Sequence, residues 1–230
     1  HDTVFGRDVA VKLLNRDVPA DSVAATRFRV EARITGQLQH PGVPPAYDLG
    51  TLPNGQPFLA MKLVKGQTLH ELLKQRSTSE GLSRFIAIFE QVCHAVGYAH
   101  ARGIVHRDLK PANVMVGAHG EVQVMDWGLA KVLEDRHSPA PDDGKAEPAA
   151  TINFQTEIAL DESDSSETRT GSVLGTPWYM PPEQAAGDIR SLDARSDVFG
   201  LGAMLCEILT GEPPYNGRNA HDVRLQALRW

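Results

Sequence analysis

Residues 104–113, Ile-Val-His-Arg-Asp-Leu-Lys-Pro-Ala-Asn, are the most informative stretch of this 230-residue chain. A helical stripe of apolar residues ends just before them near Gly103, and a short β-branched run follows them at residues 114–116. The stretch therefore predicts a loop that carries a carboxylate, a lysine and a carboxamide between two ordered elements. Two more motifs follow in order, Asp126-Trp127-Gly128 and, at residues 175–183, Gly-Thr-Pro-Trp-Tyr-Met-Pro-Pro-Glu.

The hydrophobic pattern divides the chain into a strand-rich first part and a mainly helical second part. The first part predicts strands at residues 8–14, 46–51 and 57–64, with one helix that begins after an N-cap at Ser22 and ends near Gln39. This order is typical of an α+β protein with two lobes. The second part predicts helices at residues 68–74, about 85–103 and 197–210, and strands at residues 114–116 and 122–124.

Acidic side chains are concentrated in one segment. Residues 134–169 hold ten acidic and three basic side chains, so this segment has a net charge of −7, whereas the whole chain has a net charge of −6. The segment has one aromatic residue and too few apolar side chains to offset the entropy cost of ordering it. We therefore expect a flexible acidic insert at about residues 132–170.

Composition excludes several classes of protein. The net charge of −6 argues against a nucleic-acid binder. No apolar run approaches the roughly 20 residues of a membrane span, and the first residues have neither a basic start nor an apolar run, so we expect no membrane contact and no signal peptide in this segment. Cys93 and Cys206 are too few for a disulfide scaffold, suit a reducing cytoplasm and are expected to be buried. The chain opens without a methionine, so we expect it to be a fragment of a longer protein. We expect this segment to lie in the cytoplasm, and this expectation does not extend to the rest of the protein.

In these motifs the chain resembles the eukaryotic-like (Hanks-type) serine/threonine protein kinases, especially their bacterial members. The resemblance covers nearly all of the chain outside the insert. It implies a bilobal α+β fold, in which residues 1–64 form part of a small β-rich N-lobe and residues 65–230 part of a larger helical C-lobe. It also implies transfer of the ATP γ-phosphate to Ser/Thr hydroxyls of protein substrates, with Mg²⁺, or Mn²⁺ as an alternative ion. A kinase dimer is compatible with the resemblance.

The resemblance assigns the reacting groups. Asp108 would accept the proton of the substrate hydroxyl, a role that suits a carboxylate because it stays ionised at neutral pH. Lys110 would neutralise the γ-phosphate, while Asn113 and Asp126 would supply oxygen ligands for the metal. Thr176 would hydrogen-bond near Asp108 and Lys110 and favour Ser/Thr over Tyr substrates.

Lys12, which ends a Val-Ala-Val-Lys strand, resembles the family lysine that contacts the α- and β-phosphates. Its expected partner is Glu31, nineteen residues later on the next helix. Taken alone, a lysine at the end of a strand is a solvated edge residue, and a helix glutamate lies at the surface, where Arg29 or Arg33 would hold it. The residues by themselves leave both alternatives open.

The adenine pocket is expected at the lobe boundary, near residues 64–66. Met61 resembles the gatekeeper, and the backbone groups of Lys62 and Val64 would meet the adenine edge. Ala10 and Met115 would close the pocket above and below. The alternative is that these apolar residues are plain core.

Regulation is expected through the activation segment. Arg107 would bind a phosphate there through its bidentate fork, unless it only forms a surface ion pair. Thr168 and Thr170, with Ser172 behind them, are predicted autophosphorylation sites. The alternative is that they are unmodified loop hydroxyls.

The chain departs from the family pattern in places. Trp127 stands where the family has Phe, and we expect this to change the inactive state rather than abolish catalysis. No Gly-x-Gly-x-x-Gly loop precedes Lys12. Asp197 resembles the family residue that braces the backbone of the loop that carries Asp108.

Two other functions are alternatives to a protein kinase. A pseudokinase or nucleotide-binding scaffold is disfavoured because all the expected reacting groups are present. A small-molecule phosphotransferase is disfavoured by Lys110 and residues 175–183.

Overall fold

The computed structural model describes residues 1–15, 18–19, 22–76, 81–133, 176–188 and 191–229. Its first part is an antiparallel sheet with strand order β1-β3-β2 and one helix packed on it. These elements are β1 (Val9–Leu13), α1 (Val23–Gln37), β2 (Ala46–Thr51) and β3 (Pro57–Lys62).

Helix α1 is placed by its cap and by the side chains that it buries. The Ser22 hydroxyl accepts a hydrogen bond from the amide of Ala25, which satisfies one of the free donors at the helix start. Phe28 and Ala32, four residues apart on one face, pack against Leu59 of β3. This packing fixes the helix against the sheet.

The second part is mainly helical, with two small sheets of order β4-β6-β7 and β5-β8. Short 3-10 turns occupy Pro111–Asn113, Trp127–Leu129 and Pro177–Tyr179. The strands are β4 (Gly66–Thr68), β5 (Ile104–Val105), β6 (Val114–Gly117), β7 (Val122–Val124) and β8 (Lys131–Val132). The helices are α2 (Leu69–Gln75), α3 (Leu82–His100), α4 (Pro182–Ala186), α5 (Ala194–Thr210) and α6 (Ala220–Ala227).

One hydrophobic cluster joins the two parts. It contains Ile34 from α1, Leu38 directly after that helix, Val92 and Val96 from α3, and Trp127, all of which are nearly fully buried. Burial of each large apolar side chain contributes about 1.5–3 kcal/mol. The cluster therefore couples the position of α1 to the helical part of the chain.

The predicted α+β class is confirmed, although several bounds differ. Helix α1 ends at Gln37 rather than near Gln39, and β3 ends at Lys62 rather than at residue 64. The prediction that both cysteines are buried is wrong, since Cys93 and Cys206 are only half-buried. Their helices present these positions near the edge of the core. The sequence did not predict β4, β5, β8, α4 or α6.

The expected acidic insert begins in a strand, because Lys131–Val132 forms β8 and pairs with β5. Residues 134–169 lie outside the described residues. The lobe boundary predicted near residues 64–66 falls between the end of β3 and the start of β4 and stays a prediction. Across the part of the chain that the structure describes, no helix has the length and apolar character needed to cross a membrane.

Candidate active site

Strand β1 and helix α1 bring Lys12 and Glu31 together. The Lys12 Nζ atom lies 2.5 Å from Glu31 Oε1 and 3.3 Å from Asp126 Oδ1. The Glu31 side chain is 12% exposed, so it lies inward rather than at the surface. Lys12 is therefore held between two carboxylates that come from distant parts of the chain.

Burial and charge act in opposite directions on this pair. Burial disfavours the charged form of Lys12, but the hydrogen bond to Glu31 and the charges of Glu31 and Asp126 outweigh it and raise the pKa of Lys12. Burial raises the pKa of Glu31, and the Lys12 ammonium offsets only part of that rise. Lys12 thus stays protonated and presents a cation to the cleft.

Asp108 lies in the loop at residues 106–113, called here the catalytic loop, and its carboxylate accepts hydrogen bonds from three donors. Lys110 Nζ donates to Asp108 Oδ2 at 2.6 Å, and Asn113 Nδ2 donates to the same oxygen at 3.0 Å. The Thr176 amide donates to Asp108 Oδ1 at 3.2 Å, and Lys110 Nζ also donates to Thr176 Oγ1 at 2.6 Å. The structure thus brings four of the predicted site residues into contact.

Asp197 anchors the backbone just before Asp108. Its buried carboxylate accepts hydrogen bonds from the amides of His106 at 2.7 Å and Arg107 at 2.8 Å. His100 Nε2 lies 2.7 Å from the same carboxylate. Arg107 has a φ of 67°, an unfavourable conformation for a residue with a Cβ atom. The three hydrogen bonds therefore stabilise a strained turn next to the Asp108 side chain.

Asn113 and Asp126 have the right chemistry for a divalent metal ion. Asn113 directs its Nδ2 to Asp108, so its remaining Oδ1 is the atom that a metal would use. The Asp126 side chain is 55% exposed and faces Lys12. Mg²⁺ and Mn²⁺ prefer hard oxygen donors, and Mg²⁺ is usually held by one or two protein oxygens together with phosphate oxygens. These two residues fit such an ion.

A cavity of about 250 Å³ adjoins the ion pair. It lies where the sheet, helix α1 and the Asp126-Trp127-Gly128 motif meet, so its wall combines charged and apolar side chains. The residues that line it are Lys12, Glu31, Thr35, Pro44, Met61, Met125, Asp126 and Trp127.

Four of the five predicted adenine-pocket residues lie on three strands and the fifth follows β3, and all five are partly exposed. Ala10 pairs with Met61 across β1 and β3, and Met61 also lines the cavity. Lys62 ends β3, Val64 follows it, and Met115 lies on β6. None of the five is plain buried core, and contact with adenine stays a prediction.

The structure describes one of the four predicted regulatory residues, Arg107. Arg107 Nε donates a hydrogen bond to the Leu129 carbonyl, just beyond the Asp126 motif. Thr168, Thr170 and Ser172 lie outside the described residues. A contact between Arg107 and a phosphate therefore stays a prediction.

Sequence reasoning missed several contacts that support the site. One is the contact of His100 with Asp197. In addition, Gln184 Nε2 donates to the Arg107 carbonyl at 2.9 Å, and Ser196 Oγ donates to Glu183 Oε1 at 2.7 Å. Each of these contacts joins residues at least thirteen positions apart. No local spacing signals such a partner.

The chain matches a family of known proteins over nearly its whole length. Residues 2–229 match the protein kinase domain. The chain belongs to this family. Members of the family use ATP and a divalent metal ion.

Bacterial kinases are among the proteins similar to this kinase domain. It is 38% identical over 231 residues to serine/threonine-protein kinase PknB of Mycobacterium tuberculosis, which covers 99% of this chain and 32% of that protein. Probable serine/threonine-protein kinases of Corynebacterium efficiens and Streptomyces coelicolor are 36% and 37% identical, with 99% and 100% of this chain and 30% of each relative covered. The chain thus spans about a third of the length of these curated relatives.

Proposed function

We propose that the protein is a serine/threonine protein kinase that transfers the γ-phosphate of ATP to hydroxyl groups of protein substrates. The observation that carries the proposal is that two contacts coexist: Lys12 is paired with Glu31 at 2.5 Å, and Asp108 is oriented by Lys110 and Thr176. Phosphoryl transfer depends mainly on positioning and charge neutralisation, and these contacts supply both. The names of the bacterial relatives support the same activity.

Asp108 acts on the acceptor. Its carboxylate accepts the proton of the substrate hydroxyl and directs that oxygen toward the γ-phosphorus of ATP. Lys110, 2.6 Å from Asp108, stabilises negative charge on the transferred phosphoryl group. Thr176 contacts Asp108 and Lys110 and so links the catalytic loop to residues 177–183. It favours Ser and Thr substrates over the longer Tyr side chain.

A second group of residues binds ATP, the phosphate donor. Lys12 binds the α- and β-phosphates, and Glu31 keeps the Lys12 ammonium in place. Asn113 and Asp126 would hold Mg²⁺, or Mn²⁺ in its place, and the ion would supply positive charge for the phosphate groups. The adenine edge meets the backbone that follows β3.

Autophosphorylation of the activation segment regulates the enzyme in this proposal. Thr168 and Thr170 are the acceptors, with Ser172 as a further one. Arg107 binds the resulting phosphate with its guanidinium group, a geometry that suits two parallel hydrogen bonds. The bound phosphate would stabilise the turn that carries Asp108.

Phosphate transfer by the full-length protein tests the proposal. Wild type, Asp108→Asn and the exposed control Asp48→Asn are incubated with Mg²⁺ and labelled ATP, ATP binding is measured separately, and phosphosites are mapped by mass spectrometry. We expect Asp108→Asn to lose transfer by roughly a hundredfold or more while binding ATP, because the proton acceptor is lost. We expect wild type to carry phosphate on Thr168 or Thr170.

Three results would contradict parts of the proposal. Substantial transfer by Asp108→Asn would exclude Asp108 as the proton acceptor. Unchanged labelling of a Thr168→Ala/Thr170→Ala variant would exclude these activation sites. ATP binding without any transfer by wild type would favour a pseudokinase.

A further inference from the structure

Trp127 makes a polar contact through its indole N–H. Phenylalanine, the residue usual at this position in the family, has no N–H in its side chain and cannot make this contact. The side chain is 2% exposed, and its Nε1 donates a hydrogen bond to the Val124 carbonyl at 3.1 Å. The indole therefore does more than fill the core cluster. It ties residue 127 back to the end of strand β7.

A second ring donor fixes the next carbonyl of the same segment. His106 Nε2 lies 3.0 Å from the Met125 carbonyl, and His106 Nδ1 lies 3.2 Å from the Asp108 amide. A carbonyl only accepts and an amide N–H only donates, so the imidazole carries its proton on Nε2. The Trp127 and His106 rings contact each other with centroids 4.6 Å apart. Two packed rings thus hold two successive carbonyls immediately before Asp126.

The residue that follows these carbonyls has a strained backbone. Asp126 has φ 59° and ψ 69°, a left-handed conformation that is unfavourable for a residue with a Cβ atom. Such a conformation persists where neighbouring contacts hold it. The contact of Asp126 Oδ1 with Lys12, at 3.3 Å, depends on this backbone because φ sets the direction of the side chain.

We propose that Trp127 is a positioning residue for the Asp126 carboxylate. Its indole N–H, held by the Val124 carbonyl, keeps the backbone of Asp126 in the conformation that directs the carboxylate toward Lys12 and that would present it to a metal ion. Rotation of the Trp127 side chain out of the core would leave a buried carbonyl without its donor, a cost that a phenylalanine would not incur. The consequence for the metal rests on the proposed function, whereas the restraint on the backbone does not.

Hydrogen exchange tests the restraint without metal or nucleotide. The full-length protein is compared as wild type, Trp127→Phe and Tyr98→Phe, by exchange mass spectrometry of peptides that cover residues 122–129. Phe keeps an aromatic ring but removes the N–H, and Tyr98→Phe removes one polar atom from a half-buried aromatic residue on α3. We expect exchange in this segment to rise roughly three- to tenfold in Trp127→Phe only, as for the loss of one hydrogen bond. Unchanged exchange there, or an equal rise throughout the chain, would overturn the proposal.

A metal titration tests the effect on Asp126. Binding of a fluorescent ATP analogue is followed as the Mg²⁺ concentration rises. We expect the half-saturating Mg²⁺ concentration to rise roughly three- to tenfold in Trp127→Phe and excess Mg²⁺ to restore full binding. A lower amplitude with an unchanged midpoint would mean that the variant only loses folded protein, and it would overturn the positioning role. If wild type binds the analogue but transfers no phosphate, the proposed function fails, and the exchange comparison still decides the role of Trp127.

Discussion

Lys12 Nζ lies 2.5 Å from Glu31 Oε1, which ties strand β1 to helix α1 across nineteen positions of sequence. The Lys12 side chain is 40% exposed and the Glu31 side chain 12%, so water shields the pair only in part. Fully exposed pairs contribute about 1 kcal/mol or less, whereas a hydrogen bond to a charged group contributes about 1.5–3 kcal/mol. The pair therefore adds to the apolar packing that positions α1 on the sheet.

We expect Glu31→Gln to lower kcat/KM for ATP roughly tenfold to a hundredfold, because Gln keeps the shape of the side chain but loses its charge. Steady-state kinetics at varied ATP concentration measures the loss. Glu90→Gln, at an exposed position of α3, is the matched control and should behave like wild type. An equal effect of both substitutions would contradict a specific role for the ion pair.

Thr176 should matter through its hydroxyl group. Lys110 Nζ donates to Thr176 Oγ1 at 2.6 Å. We expect Thr176→Ala to lower kcat roughly tenfold with little change in KM for ATP, because Lys110 loses a partner. Thr176→Ser keeps the hydroxyl and should retain most of the activity. Peptide phosphorylation assays compare the two, and equal activity would show that the hydroxyl is not used.

A buried tyrosine should make stability fall at alkaline pH. Burial, together with the charge of Glu183, raises the pKa of Tyr215 to about 12, whereas an unfolded tyrosine has a pKa of about 10. The folded state therefore favours the neutral phenol, and this contribution is complete below about pH 10 and is lost as the pH rises toward 12.

Urea unfolding at pH 9 and pH 11 checks the expectation for Tyr215. We expect the free energy of unfolding to fall more between these pH values in wild type than in Tyr215→Phe, which lacks the ionisable group. Tyr47→Phe, at an exposed position on β2, is the control and should follow wild type. Parallel losses in wild type and Tyr215→Phe would contradict the prediction.

Gly66 allows β4 to approach β6. A Cβ atom at this position would lie 2.1 Å from the Val116 carbonyl oxygen, so one strand must move to accept it. We expect Gly66→Ala to lower the free energy of unfolding by about 1–3 kcal/mol. At Gly202, on α5, an added Cβ would have no heavy atom within 4 Å, so Gly202→Ala should be neutral or stabilising by up to about 1 kcal/mol. Denaturant unfolding compares the two variants.

The elements that the sequence predicted well have a strong local signal. Helix α1 has an N-cap at Ser22 and apolar residues at helical spacing, and its structure follows that pattern closely. The meeting of Lys12 and Glu31 was expected because the family motif specifies which strand and which helix carry them. The conformations of Arg107 and Asp126 had no comparable signal in the sequence.

Short elements and long-range contacts had no such signal. Strands β5 and β8 have two residues each, too few to show a period of two, and they form because they pair with each other. His100 lies 97 positions from Asp197, and only the packing of α3 against α5 brings them together. The identity of this partner depends on tertiary structure, which local propensity does not encode.

The hydrophobic cluster that joins α1 to α3 has a consequence for dividing the chain. Ile34 and Leu38 come from before residue 65, whereas Val92 and Trp127 come from after it, and all four share one core. A cut between β3 and β4 would therefore expose apolar surface on both fragments instead of releasing two finished domains. The two fragments should be poorly folded alone and reassemble when mixed, which makes this site suitable for a split-protein reporter of association.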